Sequence, residues 1–556
     1  MTTEVLFKFV KKGINLSPDA YDLITTLEDP LDFSSSLIVR LKSQEFSKND
    51  LLSLDYKVVE DFIKNLGLKV PNTSTNDNEN STIKSQIKPI NVKTTNFNDK
   101  STINSIENID NGLNNDSNTD IDKNTNDKNI IDSPKDKKFS LKECRRNQNP
   151  STIDYDFKII QDTSKKSYTS GEIGNLITYF KNRYDKLFNI LSQRGELKAH
   201  QKINNLGEKT TDLNLIVMVR EIKNTKNGHR IIDFEDDTDD ITVLFHKDNR
   251  ELFKQSEKLV KDEVIGLIAE RKGELAIATQ IIQPGVPRIA TKKMDFSAVF
   301  TSDIHIGSLT FLEDAFVRFI DWLNGDYGTD EQKEIANDVK YMVVGGDIVD
   351  GIGVYPNQDK ELAIKDITEQ YDEAARLLGD IRSDIKIIIS PGNHDASRIA
   401  EPQTAIPDKY AKSLYELNNV EFISNPGIVS LDGWNTLIYH GRGFDDIAIT
   451  VNGFSHEKND AIMEELLNKR HLAPIYGERT PLASELEDYL VIDNIPDIFH
   501  TGHVHINTYK NYNGVHMINS GTFQTQTEFQ KVHNILPTCA EVPVLHRGVY
   551  KLLKFI

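Results

Sequence analysis

The spacing of apolar residues along the chain changes several times, and the first pattern is helical. Before residue 71, Leu, Ile, Val and Phe recur at three- and four-residue steps, which predicts helices. Ser17 followed by Pro18 and Asp19 is typical of a helix start, because proline is favoured at the first helical position. Residues 1–70 are therefore predicted to form a small helical domain. No chemistry is visible in this segment, so a docking module is the favoured interpretation.

The next segment, residues 71–150, has no apolar spacing that could define a face. It is dominated by Asn, Asp, Ser, Thr and Lys, and Phe97 is the only aromatic residue between positions 71 and 138. Such a sequence buries too little apolar surface to offset the entropy lost on ordering. We predict a disordered low-complexity linker, with a tethered recognition segment as the alternative.

Helical spacing returns after the linker and then gives way to strand patterns. Apolar residues at three- and four-residue steps between Ile173 and Leu191 predict an amphipathic helix within a helical connector, residues 165–205. Turn signals such as Asn227-Gly228 separate the short apolar runs that follow. These runs are residues 213–222, 230–234, 241–245, 264–269 and 275–281.

Five short strands within residues 206–290 predict a small β-barrel of the oligonucleotide-binding (OB) type. Barrels of this type bind single strands through aromatic platforms and a basic groove. Here Phe234 and Phe245 are nearly alone, and the loop at residues 235–240 is acidic. A structural spacer is therefore favoured over a binding module.

From residue 296 onward, buried apolar runs end repeatedly in polar clusters. The clusters are Asp303-Ile304-His305, Gly345-Gly346-Asp347, Gly392-Asn393-His394-Asp395, Tyr439-His440-Gly441 and Gly502-His503-Val504-His505. In open α/β sheets ligands gather beyond the carboxyl ends of the strands, so these clusters are expected to converge. Their combined order predicts a metal site.

Taken one at a time, these residues are weak signals. His440 alone is more often a hydrogen-bonded core histidine, and Asp347 alone could form a turn or cap a helix. Only the succession of all five clusters points to a shared site. His471 and His500 lie outside the pattern and are expected to be structural.

Composition narrows the possible functions. A chain of 556 residues is long enough for several domains, and no apolar run approaches the ~20 residues of a membrane span. The apolar patch near the N-terminus is too short for a signal peptide, so a cytoplasmic location is expected. Only Cys144 and Cys539 are present, which leaves His, Asp, Glu or Asn to hold any metal.

The charge balance also limits how nucleic acid could bind. With 66 basic and 85 acidic residues the net charge is −19, which argues against a protein that coats nucleic acid electrostatically. A local site remains compatible with this charge, because bound divalent cations would supply positive charge where a phosphodiester arrives.

The order of the five clusters resembles the calcineurin-like metallophosphoesterase superfamily, with no ligand position missing. The resemblance implies an α/β domain over residues 296–556, a β-sandwich flanked by helices. It implies two cations, of which Mn²⁺ is favoured and Mg²⁺, Fe, Zn²⁺ or Ni²⁺ are compatible. The implied ligands are Asp303, His305, Asp347 and His505 for one cation, and Asp347, Asn393, His440 and His503 for the other.

The resemblance also assigns roles within this site. Asp347 would bridge the two cations. His394, which is not a ligand in the superfamily, would act catalytically by stabilising charge on the phosphate or protonating the leaving oxygen.

Two flanking stretches are similar to signatures of the small subunits of replicative DNA polymerases. They are residues 350–356 and residues 518–530. With the helical N-terminus, linker and barrel, the chain resembles the small subunits of archaeal family D polymerases. That family implies a 3′ to 5′ exonuclease acting on single-stranded or mispaired DNA ends.

The family also implies partners, and two other functions stay open. The implied partners are a large catalytic subunit in a heterodimer, DNA, and the sliding clamp through the complex. The alternatives are a catalytically idle scaffold subunit, as in eukaryotic relatives that have lost metal ligands, and a free-standing phosphatase or phosphodiesterase.

Overall fold

The computed structural model describes residues 155–556, apart from 167–168, 170, 208–209, 274 and 533–534, together with a few earlier residues. The earlier ones are 14–16, 23–24, 33–34, 37, 52–54, 59 and 63. The chain divides into two compact units, Met1–Lys128 and Asn129–Ile556. Among the described residues, every helix is too short or too polar to cross a membrane.

The described part of the first unit contains strands as well as helical residues. Strands β1 (Ile14–Leu16) and β2 (Leu52–Leu54) pair in parallel. Buried helical residues are Leu23, Ile24, Phe33, Leu37, Val59 and Ile63. The prediction of an all-helical domain is therefore wrong at residues 52–54, because a short apolar run is compatible with either period. The predicted linker, residues 71–150, lies outside the described residues.

The predicted helix and barrel are both present in the second unit. Helix α1 (Ile173–Leu191) precedes a closed five-stranded barrel. Its strands are β4 (Asp212–Asn224), β5 (Arg230–Glu235), β6 (Asp240–Phe245), β7 (Val264–Lys272) and β8 (Leu275–Ile282). They lie in the order β4-β5-β6-β8-β7, and helix α2 (Arg250–Ser256) connects β6 to β7. This closed barrel confirms the architecture predicted for residues 206–290.

The remaining strands form two six-stranded sheets. The first has the order β12-β11-β10-β9-β18-β19 and the second β16-β17-β15-β14-β13-β3. First-sheet strands are β9 (Ser297–Thr301), β10 (Val339–Gly345), β11 (Lys386–Ser390), β12 (Val420–Phe422), β18 (Glu541–His546) and β19 (Val549–Lys554). Second-sheet strands are β3 (Phe157–Gln161), β13 (Gly427–Leu431), β14 (Trp434–Ile438), β15 (Ile498–Thr501), β16 (Thr508–Tyr512) and β17 (Val515–Asn519).

Alternation along the strands builds a sandwich with helices on both outer faces. In β10, Tyr341 and Val343 pack into the core between the sheets, whereas Met342 and Val344 face the opposite way, into a core with the helices. The helices of that first outer face are α3 (Glu313–Leu323), α4 (Asp330–Asn337), α5 (Ile367–Gly379) and α6 (Asp408–Tyr415). On the second sheet, Leu437 and Phe499 pack against α7 (Phe444–Thr450) and α8 (Asn459–Lys469). A short helix, α9 (Glu528–Val532), follows β17.

Strand β3 was not predicted. It lies before α1 and the barrel in sequence, yet it pairs antiparallel with β13 at the edge of the second sheet. The sandwich therefore begins near residue 157 rather than residue 296, and the helix and barrel are inserted into it.

Arg183 joins α1 to the barrel and to the sandwich. Its fully buried guanidinium donates from Nε to Oδ2 of Asp488 at 2.7 Å and from Nη1 to the carbonyls of Asp262 and Pro474. Since Asp262 precedes β7 and the other two residues lie between α8 and β15, one side chain links three parts of the unit.

Candidate metal centre

All seven predicted ligands follow the carboxyl ends of strands. They are Asp303 and His305 after β9, Asp347 after β10, Asn393 after β11, His440 after β14, and His503 and His505 after β15. Strands β9, β10 and β11 belong to one sheet and β14 and β15 to the other. The site therefore lies where the strand ends of both sheets meet.

The backbone at five of these residues adopts an unfavourable conformation. Asp303, His305, Asp347, His503 and His505 have φ between 51° and 72° without being glycine. Such left-handed conformations cost of order 1 kcal/mol each and cluster at functional sites, because the surrounding structure must enforce them. Here main-chain bonds do so: the amide of Asp303 donates to Gly346 O at 2.9 Å, and that of His305 to Asp347 O at 3.1 Å.

Asp303, His305 and His505 form a first buried group of ligand atoms. The Nε2 atoms of His305 and His505 lie 3.1 Å apart, and Nε2 of His505 lies 3.4 Å from Oδ1 of Asp303. Nδ1 of His305 donates to Oδ1 of Asp350 at 3.0 Å, so the neutral ring presents a lone pair at Nε2. Burial lowers the pKa of His305 and favours this neutral, cation-binding form.

Asp347, Asn393 and His440 form a second group, in which three acceptors converge. Nδ1 of His440 donates to Gly345 O at 2.9 Å, which leaves a lone pair on Nε2 of the neutral ring. That Nε2 lies 3.1 Å from Oδ2 of Asp347 and 3.1 Å from Oδ1 of Asn393. Three acceptors this close need a positive charge between them, either a proton or a metal ion.

The electrostatics of the second group match this need. Burial acts to lower the pKa of His440, but Asp347 outweighs it and raises that pKa to about 10. Burial acts to raise the pKa of Asp347, but His440 and His394 outweigh it and hold that pKa well below its usual range. The site therefore stabilises positive charge, and nitrogen with carboxylate and amide oxygens suits a divalent transition metal.

His503 occupies the margin of the site. Its amide donates to the carboxylate of Asp303 at 2.9 Å, and its ring centre is 5.2 Å from that of His440. Its Nε2 lies 3.3 Å from Oδ2 of Asp445, outside the two groups described above. Asp303 also has a ligand atom close to those of Asp347 and His440, so Asp303, and not Asp347, is common to both groups. Bridging by Asp347 and ligation by His503 stay predictions.

His394 lies beside the ligand groups. Its Nδ1 donates to the main-chain oxygen of Asp350 at 2.7 Å, and its amide donates to Oδ1 of Asp347 at 2.7 Å. Its ring packs edge-on against that of His305, with centres 4.7 Å apart. The ring is half-buried and forms part of the cavity wall, where a substrate could reach it.

Sequence reasoning missed several residues that orient the ligands. Asp350 holds His305 with its carboxylate and His394 with its main-chain oxygen. Gln530 contacts Nδ1 of His505 at 2.9 Å, and Asp445 faces His503. Asp350 and Gln530 stand in the two stretches that resemble polymerase subunits, a signal for the family that did not define their roles; Asp445 gave no signal.

Asp395 supports the same loop from beneath. Its carboxylate accepts from the amide of Gly392 at 2.9 Å and from the hydroxyl of Tyr371 at 3.1 Å. Burial, reinforced by Asp347, raises the pKa of Asp395 to about 7.

The two histidines expected to be structural are buried and hydrogen-bonded away from the ligand groups. Nε2 of His500 lies 2.7 Å from the hydroxyl of Ser520. Nε2 of His471 donates to Oδ2 of Asp488 at 2.9 Å, while its Nδ1 accepts from the amide of Ala473 at 3.1 Å.

A cavity of about 620 Å³ opens onto the ligand groups. Its wall includes His394, Tyr355, Glu361, Asp445 and Arg479 besides the ligand residues. The volume lies within the range of small-ligand sites, about 300–1,000 Å³.

Comparison with known proteins first gives a broad class. Residues 298–509, which include all seven predicted ligands, match the family described as the B-type subunit of DNA polymerases alpha and epsilon. A solved structure described as a novel archaeal phosphodiesterase covers 46% of this chain and 99% of its own at 14% identity; its TM-score is 0.21, too low to carry a structural argument.

Curated relatives then define the family. A DNA polymerase II small subunit from Methanothermobacter thermautotrophicus is 64% identical over 406 residues, 73% of this chain and 84% of that protein. Those of Archaeoglobus fulgidus and Pyrococcus furiosus are 44% and 40% identical, each over 70% of this chain and over 79% and 65% of their own lengths. The chain belongs to the family of DNA polymerase II small subunits, which confirms the family predicted from the motifs.

Proposed function

We propose that this chain is the small subunit of a heterodimeric replicative DNA polymerase and carries a two-metal 3′ to 5′ exonuclease. Its substrates would be single-stranded or mispaired DNA ends, so the activity would serve proofreading. The observation that carries the proposal is the convergence of Nε2 of His440 with oxygens of Asp347 and Asn393 at 3.1 Å each. Such an arrangement of acceptors is suited to holding a cation.

The donor set fits two divalent cations, with Mn²⁺ favoured. Asp303, His305 and His505 would hold one and Asp347, Asn393, His440 and His503 the other, with Asp347 shared. When bound, such ions neutralise a phosphodiester and lower the pKa of water, so that no serine or cysteine nucleophile is needed.

The remaining residues of the site would orient the substrate and the ligands. His394, fixed through Nδ1 by Asp350 O, presents its other nitrogen for the phosphate or the leaving oxygen. The carboxylate of Asp350 holds His305 in the tautomer that binds a cation. The buried strand ends around them limit access of bulk water to the reacting groups.

The proposed assembly rests on the family. Its members are named small subunits of a DNA polymerase. A large catalytic subunit, encoded separately, would be the partner of this chain, and contact with the sliding clamp would pass through the complex.

The test combines metal analysis with DNA digestion by the full chain. After chelation and reloading with Mn²⁺, we expect close to two ions per chain and shortening of a 5′-labelled oligonucleotide from its 3′ end. Asp347→Asn should lose metal and cleavage together, whereas Asp326→Asn, at an exposed aspartate, should retain both.

Other outcomes would support the alternative functions. Two bound ions without DNA cleavage would indicate an idle scaffold. Turnover of a phosphate monoester without DNA cleavage would indicate a free-standing phosphatase. A metal content near zero in the reloaded wild-type chain would contradict the site itself.

A further inference from the structure

A second cavity, of about 660 Å³, adjoins the candidate metal centre. Asn393 and His394 belong to the walls of both cavities. The loop after Asp350 separates the two, since Ile352 and Val354 line the second cavity and Tyr355 lines the first. A chain-like substrate held at the metal centre could therefore continue past His394 into the second cavity.

The wall of the second cavity carries unpaired positive charge. It contains Arg398, Lys409 and Arg442, and its one carboxylate, Asp395, is buried beneath the loop. Arg398 is paired with Glu485 at 2.6 Å. Within the described part of the chain, Lys409 and Arg442 have no carboxylate within ion-pair distance.

This charge is a local exception in an acidic protein. The chain as a whole has a net charge of −19, and the wall of the first cavity contains Asp347, Asp350, Glu361 and Asp445. The acidic cavity suits cations, whereas the adjoining cationic one suits phosphates.

Apolar groups lie between the cations. Ile399 is 69% exposed and Ile352 is 49% exposed, and Nζ of Lys409 lies 4.5 Å from the ring centre of Tyr410. Exposed apolar surface interleaved with positive charge is the combination that binds single-stranded nucleic acid, because bases pack on the former and phosphates contact the latter.

We infer that this cavity, the Lys409–Arg442 groove, binds the single DNA strand on the 5′ side of the scissile phosphodiester. The direction follows from the chemistry of a 3′ end. A 3′-terminal nucleoside carries only the scissile phosphate, so every further phosphate that Lys409 or Arg442 could contact lies on the 5′ side. The inference rests on the proposed exonuclease function and adds the path of its substrate.

The test measures equilibrium binding of a fluorescent oligodeoxythymidine to the full chain in EDTA, across a range of salt concentrations. For single strands, each phosphate contact contributes about 0.7 to the slope of log affinity against log salt. Lys409→Ala and Arg442→Gln should each reduce the slope by about 0.7, and the double variant by about 1.4. Lys412→Ala, at an exposed lysine on the same helix α6, should retain the wild-type slope.

A kinetic comparison separates this inference from the proposed function. With Mn²⁺, the ratio of kcat/KM for the oligonucleotide to that for thymidine 5′-(p-nitrophenyl phosphate) should fall in the groove variants, because the small ester lacks further phosphates. If the wild-type chain cleaves neither substrate, the exonuclease proposal fails, and the binding slopes still decide the groove. Equal slopes for the wild type and the double variant would overturn the groove.

Discussion

At the scale of residues, four imidazoles at the site share one arrangement: Nδ1 is engaged and Nε2 is left for the centre. The partners of Nδ1 are the Asp350 carboxylate for His305, Asp350 O for His394, Gly345 O for His440 and Gln530 for His505. Fixing one nitrogen orients the ring before any ligand arrives, which reduces the entropy lost on binding. His503 differs, because its Nε2 faces Asp445.

Substitution of His394 should separate catalysis from metal binding. His394→Ala removes a group that contacts phosphate but no cation, so DNA cleavage should fall on the order of 10²–10⁴-fold at near-normal metal content. Asp347→Ala should lose metal and activity together, and His229→Ala in the barrel should lose neither. Rates on single-stranded DNA at saturating Mn²⁺, with metal analysis of each variant, provide the measurement. A wild-type rate for His394→Ala would show that its assigned role is wrong.

The ligand-type residues could be predicted from sequence because they follow buried apolar strands, a local pattern. Their supporting residues could not. Asp445 lies 58 positions from His503, and Gln530 lies 25 from His505, so only the folded chain reveals these contacts. Bridging by Asp347 is also not decided by sequence, since it depends on the placement of individual oxygen atoms.

At the scale of elements, predictions were good where the pattern was local. All five barrel strands begin and end within a few residues of the predicted limits, because turn signals separate them. Strand β3 was missed because its pairing partner is distant in sequence. Leu52–Leu54 was assigned the wrong period, because three residues cannot distinguish a strand from a helix.

The contact of helix α1 with the sandwich should make stability depend on pH. His471 donates from Nε2 to Asp488, the partner of Arg183, and accepts at Nδ1 from Ala473, so protonation would break the latter bond. Burial, reinforced by the nearby charge of Arg183, lowers the pKa of His471 to about 4. The unfolded chain therefore binds this proton below about pH 6.5, whereas the folded chain resists it down to about pH 4.

The free energy of unfolding should consequently fall as the pH drops from about 6.5 to about 4, by as much as about 3 kcal/mol from this group. Urea unfolding of the wild type and of His471→Gln at pH 7 and pH 4.5 measures the effect. The variant should be less stable at pH 7 but should lose less stability on acidification. An equal loss in both proteins would contradict the assignment to His471.

At the scale of the whole molecule, the two units have different standing. The unit Asn129–Ile556 contains the barrel, the sandwich and the candidate centre, whereas the first unit is described only at scattered positions. The small helical domain and the linker at residues 71–150 rested on composition and spacing alone. For the linker, the sequence interpretation stays a prediction.

Co-expression with the large subunit of the same polymerase should yield a stable heterodimer. A chain in the family of small subunits, with one candidate catalytic centre among its described residues, requires a partner to supply polymerisation. Gel filtration with light scattering should give one peak at the summed mass, and Asp347→Asn should form the same complex because it alters the centre alone. Elution of the two chains as separate monomers would contradict the proposed assembly.

The insertion of the barrel into the sandwich has a consequence for synthesis on the ribosome. Ile159 in β3 pairs with Val429 in β13, which is translated 270 residues later. At about 5–20 residues per second, β3 waits roughly 10–50 s for its partner. The barrel, whose strands all lie within Asp212–Ile282, emerges complete during that interval and can fold first. The nascent chain therefore carries an unpaired β3 ahead of a folded barrel until the second sheet is made.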